Sequence, residues 1–526
     1  MKRRLLSVFA AGLLSAAGFE PLNLWPVALA ALAVMIHALA QAETRKAALL
    51  TGYVFGLGHF IAGNSWIAGA FRYQEEMPVW LGWIAVVALA FYIAIYPALA
   101  TGLAWKLSGE RRKGAGFVLL LAAAWIITEW LRARVFTGYA WNPLAVIAVE
   151  AAPATRWVGS YGLSGLILLV AGGLWLAAHR QWKRALPLIL VPLALTGAGY
   201  AAQINADMKR LNVSERKGYT SGILARIVQP NIAQQDKYRP DYERENFLKL
   251  ATLSGNAGPQ PRLLLWPEAA VPDFIGEPDE EAARARRRIA TLLGPDDIVL
   301  TGADTLFSES KQVGPVIEKR WIGAANSVFA LDAKGAILGR YDKAHLVPYG
   351  EYLPMRPFLS LIGLSRLVPG DLDFWPGPGP RTLDLGKDRH GRSRPRVGLQ
   401  ICYEIIFSGE VVDPDQRPDF IFNPSNDAWF GSWGPPQHLA QARLRAIEEG
   451  LPVVRSTPTG ISAVIDADGR VVQSLPHGKA GRIDARLPMP KPPTLFALYG
   501  NILPLAFAAL LIACALLPLA RRRASR

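Results

Sequence analysis

Eight long, nearly uncharged apolar stretches dominate this 526-residue chain and limit what it can fold into. Seven precede Ile204, at 4–19, 22–40, 46–70, 77–106, 115–133, 157–179 and 185–203, and the eighth covers 495–519. Most reach the roughly 20 residues that a helix needs to cross the hydrocarbon core of a bilayer. The first is short, and Met1-Lys-Arg-Arg followed by Leu5–Ala17 has the outline of a signal peptide. Further spans follow at once, with no clear cleavage site before a soluble domain, so an uncleaved first span is expected. With 51% hydrophobic and 19% charged residues, the composition is that of a membrane protein with a large aqueous part.

Basic residues give the orientation. If eight spans alternate, Lys2, Arg3 and Arg4, then Arg45 and Lys46, then Lys106, Arg111, Arg112 and Lys113 share one side. Arg180, Lys183, Arg184 and the cluster Arg521–Arg523 with Arg526 fall there too, whereas the opposite connections hold few, such as Arg72 beside Glu75 and Glu76. The positive-inside rule then predicts cytoplasmic termini and places 205–491 outside the inner membrane. On this reading the net charge of +15 reflects topology and contact with anionic lipid. No aromatic-plus-basic platform or recognised motif suggests a nucleic-acid partner. The predicted organisation is an N-terminal membrane domain of seven transmembrane helices over 1–204, an outer domain over 215–490, and a C-terminal transmembrane helix over 495–519.

The outer stretch has a mixed pattern. Apolar, β-branched runs at 223–228, 263–265, 298–300, 327–331, 397–401, 420–422, 453–454 and 461–465 predict strands. Helical patterns at 239–253, 280–293 and 437–449 lie between some of them. Asp332-Ala-Lys-Gly335 and Asp466-Ala-Asp-Gly469 each separate two strand-like runs, which predicts two hairpins and hints at related halves or at a repeated ββ element. Strands mixed with helices imply a layered α/β domain with helices outside.

Two cysteines occur. Cys514 lies in the last apolar stretch and reads as helix-packing or lipid-facing filler; the pair is too separate in setting to suggest a disulfide. Cys402 ends the apolar run Val397–Ile401, and alone it is bland, because free cysteine is often a small buried hydrophobe. Its company changes the reading: Trp266-Pro-Glu268 upstream, and Lys343-Ala-His-Leu-Val-Pro-Tyr-Gly-Glu351 between. A carboxylate, an ammonium and a thiol, each beside a strand-like run, can supply a base, an oxyanion stabiliser and a nucleophile. Few histidines and no paired cysteine ligands give no metal site.

Glu268, Lys343 and Cys402 resemble the Glu-Lys-Cys triad of the nitrilase, or carbon–nitrogen hydrolase, superfamily. Gln229-Pro-Asn-Ile232, Asn423-Pro-Ser-Asn-Asp-Ala-Trp-Phe430 and Arg455-Ser-Thr-Pro-Thr-Gly460, flanked by many spans, resemble the bacterial apolipoprotein N-acyltransferase family. The resemblance covers nearly the whole chain. It implies a multi-span helical membrane domain carrying a nitrilase-like αββα sandwich on the periplasmic face of the inner membrane. It further implies transfer of an acyl chain from phospholipid to the N-terminal amine of a diacylglyceryl-cysteine apolipoprotein. That reaction would run ping-pong through a Cys402 thioester, as the final step of lipoprotein maturation, by a monomer without a cofactor.

Within that resemblance, Cys402 is the nucleophile, Glu268 the general base and Lys343 the oxyanion stabiliser. Glu351 would orient the ammonium and Glu404 tune the nucleophile or bind substrate, each with a plain salt bridge as the alternative. Tyr403 would lend an amide or hydroxyl to the oxyanion, and Asn423, Asn426 and Trp429 would line the pocket. His345 reads as structural. Lys237-Tyr238 stands where relatives often have Trp, so Tyr238 would keep an aromatic face on a covering loop. Thr457-Pro458-Thr459 replaces the more usual Thr-Asn-Thr. The apolar stretch 357–367 should dip into the membrane and admit acyl chains. Asn64, Trp66, Trp141 and Asn142, near outer span ends, could hold a headgroup or anchor the spans. The rivals are a membrane-tethered nitrilase-type amidase and a transporter with an accessory domain. The second is weak, because Glu129 is the main ionisable residue within the spans.

Overall fold

In the computed structural model, the described residues are 2–73, 77–217, 223–237, 239–313, 316–362 and 372–524. Four helices among them are long and apolar enough to cross a membrane: Leu81–Ser108, Ala115–Arg132, Leu144–Ala178 and Trp182–Met208. Trp25–Ala40 and Ile502–Leu517 are shorter apolar helices. The sequence count of eight spans therefore divides into unequal helices. Helix Lys2–Ser15 opens on three basic residues, and Trp25–Ala40 has 16 residues, about 24 Å at 1.5 Å per residue. Helix Trp182–Lys217 runs past the expected boundary at 204. Small residues let the first helices cross closely: a Cβ at Gly12 would lie 2.2 Å from the Phe55 carbonyl oxygen, and one at Gly58 2.4 Å from that of Phe9.

Among the described residues the α/β domain has twelve strands. They are Leu224–Gln229 (β1), Arg262–Leu265 (β2), Ile298–Val313 (β3), Val316–Asp332 (β4), Ile337–Asp342 (β5) and Thr382–Asp384 (β6). Arg396–Leu399 (β7), Phe420–Pro424 (β8), Val453–Ser456 (β9), Ser462–Ile465 (β10), Val471–Leu475 (β11) and Gly481–Arg486 (β12) complete the set. One sheet has the order β12-β1-β2-β3-β4-β5, the other β6-β7-β8-β9-β10-β11. Read in these orders, both run antiparallel, parallel, parallel, antiparallel, antiparallel. The halves are thus related, as the two Asp-x-x-Gly turns suggested. Gly335 closes β4–β5 and Gly469 closes β10–β11, each donating its N–H to the preceding aspartate carbonyl with φ near +75°.

Strand alternation builds the layers. On β2, Leu263 and Leu265 join the core shared with Leu399, Phe420 and Phe422 of the other sheet, while Leu264 faces Leu250 and Ile289 of the covering helices. Helices Glu243–Ser254 and Glu280–Ala290 cover the first sheet. Helix Gly434–Glu449 lies between the second sheet and the membrane helices. Thirteen of its sixteen residues are buried, so the sandwich is seated on the membrane domain through this helix.

Candidate active site

Three strand ends converge at one buried place. β2 stops at Leu265, since Pro267 has no N–H to extend the ladder, and Glu268 follows. β5 stops at Asp342; Lys343 then donates its backbone N–H to the Asn326 carbonyl at 2.9 Å. After β7 the chain turns at Cys402, whose φ of +51° lies in the left-handed region that a side chain rarely adopts. Asn231, just past the equivalent strand β1, has φ +52°. Strain of this kind persists only where the surroundings enforce it, and here they do. Glu404 accepts the Ile401 N–H at 2.7 Å, while Asn423 and His438 donate to the Cys402 carbonyl at 3.3 and 3.1 Å.

The charges are interlocked. Lys343 Nζ lies 2.8 Å from Glu351 Oε1 and 3.7 Å from Glu268 Oε1. The Asn326 amide donates to both carboxylates, at 2.7 and 3.1 Å, and the Asn426 N–H donates to the other Glu268 oxygen at 2.5 Å. Burial pulls the Lys343 ammonium down, but Glu351, Glu268 and Cys402 outweigh it and hold it above the usual lysine range. Burial, with Glu268, pushes the Cys402 thiol well up against the pull of Lys343. The resting thiol is therefore protonated, and a sulfur attack requires a base at the moment of reaction. Glu268 is the carboxylate whose charge acts most strongly on that sulfur.

A second buried network supports the nucleophile turn from below. His438 reaches Cys402 through Nε2, and its Nδ1 lies 2.9 Å from Asp427 Oδ1. Asp427 also meets Arg455 at 2.9 Å and accepts from Ser425 at 2.6 Å, and Arg455 in turn donates to Asn423. Asn423 is thus fully buried beneath Cys402 and holds its backbone, where the sequence suggested a pocket wall. Glu404 clamps two loops. Its Oε1 accepts Tyr341 OH, Ala344 N–H and His345 N–H at 2.8, 2.7 and 3.0 Å.

Other expected residues take different places. Tyr403 turns its hydroxyl to the Gly138 carbonyl of the membrane domain at 3.5 Å. Trp141 is fully buried, donating Nε1 to Gln437 Oε1 at 3.0 Å and packing against Trp66, Phe430 and His438. It is an interdomain anchor, and its burial leaves no surface for a headgroup. Asn142 joins it, donating to Gln437 at 2.8 Å, while Asn64 accepts from Tyr139. Trp429 packs edge-on to Tyr73, and His345 stacks on Phe407 with ring centroids 3.6 Å apart. Tyr238 lies outside the described residues, as does 363–371 of the apolar loop. In the described part of that loop Phe358 and Leu361 are 73% and 84% exposed.

Asn326, His438 and Asp304 had not been singled out from the sequence, and Asp427, Arg455 and Lys237 stood there only within quoted runs, with no role given. Lys237 Nζ donates to the Glu268 carbonyl at 3.0 Å. A signal existed for some of them: Asn326 interrupts the apolar strand Gly323–Leu331, where a polar residue asks for a buried partner.

A two-sheet sandwich of this topology, with carboxylate, ammonium and thiol gathered at its strand ends and seated on membrane helices, defines a membrane-borne carbon–nitrogen hydrolase fold. Residues 224–491 match the carbon–nitrogen hydrolase family, and 11–173 match the apolipoprotein N-acyltransferase N-terminal domain. An apolipoprotein N-acyltransferase of Bradyrhizobium diazoefficiens is 36% identical over 100% of this chain and 96% of its own. That of Rhodopseudomonas palustris is 33% identical over 98% and 95%. An amidase from Nesterenkonia sp. resembles 51% of this chain and 92% of its own, at 17% identity and a TM-score of 0.30. The chain belongs to the apolipoprotein N-acyltransferase family.

Proposed function

We propose that this protein transfers an acyl chain from membrane phospholipid to the N-terminal amine of a diacylated apolipoprotein, through a thioester on Cys402. The observation that carries the reading is the single buried cluster of Cys402, Glu268 and Lys343 on a sandwich fixed to membrane helices. In the first half-reaction the thiol proton passes to Glu268 as sulfur attacks the ester carbonyl. The Lys343 ammonium faces the oxyanion that forms, the C–O bond breaks, and the lysophospholipid oxygen takes the proton back from Glu268. In the second half the acceptor amine attacks the thioester, the C–S bond breaks, and an amide is released.

Glu351 keeps Lys343 charged and aimed, and Glu404 holds the Lys343 loop against the nucleophile turn. Exposed Phe358 and Leu361 give the outer domain apolar side chains to set into the bilayer, where donor acyl chains lie. The orientation that fits is a periplasmic catalytic domain on the inner membrane. The test is reconstitution in vesicles of phospholipid with labelled acyl chains, followed by addition of a diacylated peptide with a free N-terminus. Label on Cys402 that hydroxylamine removes, then label on the peptide, is the expected sequence. Release of free fatty acid with none on the peptide would instead mark a hydrolase.

A further inference from the structure

The second half-reaction needs something that the cluster described so far does not offer. The acceptor arrives as an α-ammonium, whose nitrogen has no lone pair for attack, with an ordinary pKa of ~8. It must be held beside the thioester and lose a proton there. Glu268 can carry one of the two protons that the ammonium loses on becoming an amide, back to the departing sulfur; the other needs a second acceptor, and Glu351 is held by Lys343, Asn326 and the Val347 N–H.

Asp304 is a third carboxylate, and it is in a different position. It stands on β3 directly across from Asn326 on β4, and directly opposed residues share a sheet face. Two residues earlier on the same face, Gly302 leaves room for Glu268: a Cβ there would lie 2.8 Å from Glu268 Cα. Asp304 is thus on the side where Asn326 bridges Glu268 and Glu351. Its side chain is half-buried, so a ligand can still reach it. Among the described residues it accepts no hydrogen bond and forms no salt bridge. A half-buried carboxylate that only the Lys237 ammonium opposes through space, across the sheet from the Asn326 that bridges Glu268 and Glu351, is arranged to receive a cation.

We propose that Asp304 docks the α-ammonium of the acyl acceptor and takes the proton that the amine must lose before it attacks. This rests on the acyltransferase reading above. An N–H bond of the ammonium breaks as an O–H bond forms on Asp304, and the freed lone pair attacks the Cys402 thioester carbonyl. The C–S bond then breaks to give the amide. The second amine proton reaches the departing sulfur by way of Glu268, and Asp304 releases its own proton to water.

The surroundings set a pH range for this step. Burial lifts the Asp304 carboxyl to about 7; Lys237 pulls against that, Glu268 and Glu351 add to it, and Lys343 pulls down again. Above that pH the group is anionic and both holds and deprotonates an ammonium. Below it both capacities fade.

The two half-reactions can be read separately on the full-length enzyme. Vesicles of phosphatidylglycerol, a donor without an ammonium, would carry the labelled acyl chains, and a synthetic diacylated lipopeptide would be the acceptor. Asp304→Asn should form the acyl-enzyme as fast as wild type, which also shows that the variant is folded. Transfer to the lipopeptide should fall about 100-fold, the usual scale for losing a positioned base. Its rise with pH should shift from about 7 toward the amine's own ~8. Asp304→Glu should recover part of the transfer. Unimpaired transfer by Asp304→Asn, or equal loss in both half-reactions, would overturn the assignment. A wild-type enzyme that acylates but never transfers would sink the acyltransferase reading itself.

Discussion

Tyr341 donates its hydroxyl to the Glu404 carboxylate at 2.8 Å, joining the strand that leads to Lys343 with the turn that carries Cys402. The same oxygen of Glu404 takes two further N–H groups from the loop just after Lys343. Ammonium and thiol therefore sit on segments tied by one buried carboxylate, and changes at either can be read without assuming that the other has moved.

Cys402→Ser should fold, insert and lose acylation. The hydroxyl is nearly isosteric with the thiol, but it stays protonated near neutral pH and is the weaker nucleophile. Labelled phospholipid should leave a hydroxylamine-sensitive adduct on wild type alone. An adduct persisting in the Ser variant would place the nucleophile elsewhere.

Glu268→Gln and Lys343→Met should move the thiol in opposite directions. Glu268 pushes the Cys402 pKa up and Lys343 pulls it down. At fixed alkaline pH, iodoacetamide should therefore alkylate Cys402 faster in Glu268→Gln and slower in Lys343→Met. Both should still lose acylation, by about 100-fold or more, one for want of a base and the other for want of oxyanion charge. Alkylation rates that shift the same way would mean that the charges act differently on the sulfur.

Replacing Phe358 and Leu361 by Ser should slow reaction with bilayer phospholipid more than with a short-chain soluble ester. Each large apolar side chain is worth ~1.5–3 kcal/mol when fully buried, so losing two weakens docking substantially. The soluble ester bypasses that step. Equal loss on both substrates would show that the loop acts on the site and not on the membrane.

Gln437→Ala should destabilise the interface without touching the reacting groups. Its side-chain oxygen accepts from both Trp141 and Asn142, and leaving such buried donors unmet costs about 1–3 kcal/mol. Trp141→Ala should cost more, ~3–5 kcal/mol for a large core aromatic. Thermal denaturation in detergent would show both; an unchanged midpoint for Trp141→Ala would mean that the domains are held elsewhere.

The sequence was most informative where chemistry and local pattern coincide. Glu268, Lys343 and Cys402 each follow an apolar strand run, and the Asp-x-x-Gly turns read as hairpins because glycine alone takes that last position easily. It was least informative where partners are far apart in the chain. Trp141 and Gln437 are separated by 296 positions, so neither announces the other, and an interfacial Trp reads the same as a lipid anchor. His438 belongs to an unremarkable helical pattern, and nothing local shows that it supports the carbonyl of Cys402. Asp304 lies in a strand after Thr-Gly-Ala, where a lone carboxylate looks like an edge residue until Asn326 is placed opposite.

Helix Gly434–Glu449 is shared by the second sheet and the membrane helices, and a shared helix ties the two together. The thiol is therefore carried at one fixed depth relative to the spans. A domain on a flexible tether would sample many heights and meet any ester near the surface; this one works like a gauge. In the proposed reaction, a donor whose ester carbonyl floats at the matching level would present it to Cys402 directly. On that reading, a bilayer made thicker or thinner should move that level away from the thiol and slow the reaction, with Glu268, Lys343 and Cys402 left in place.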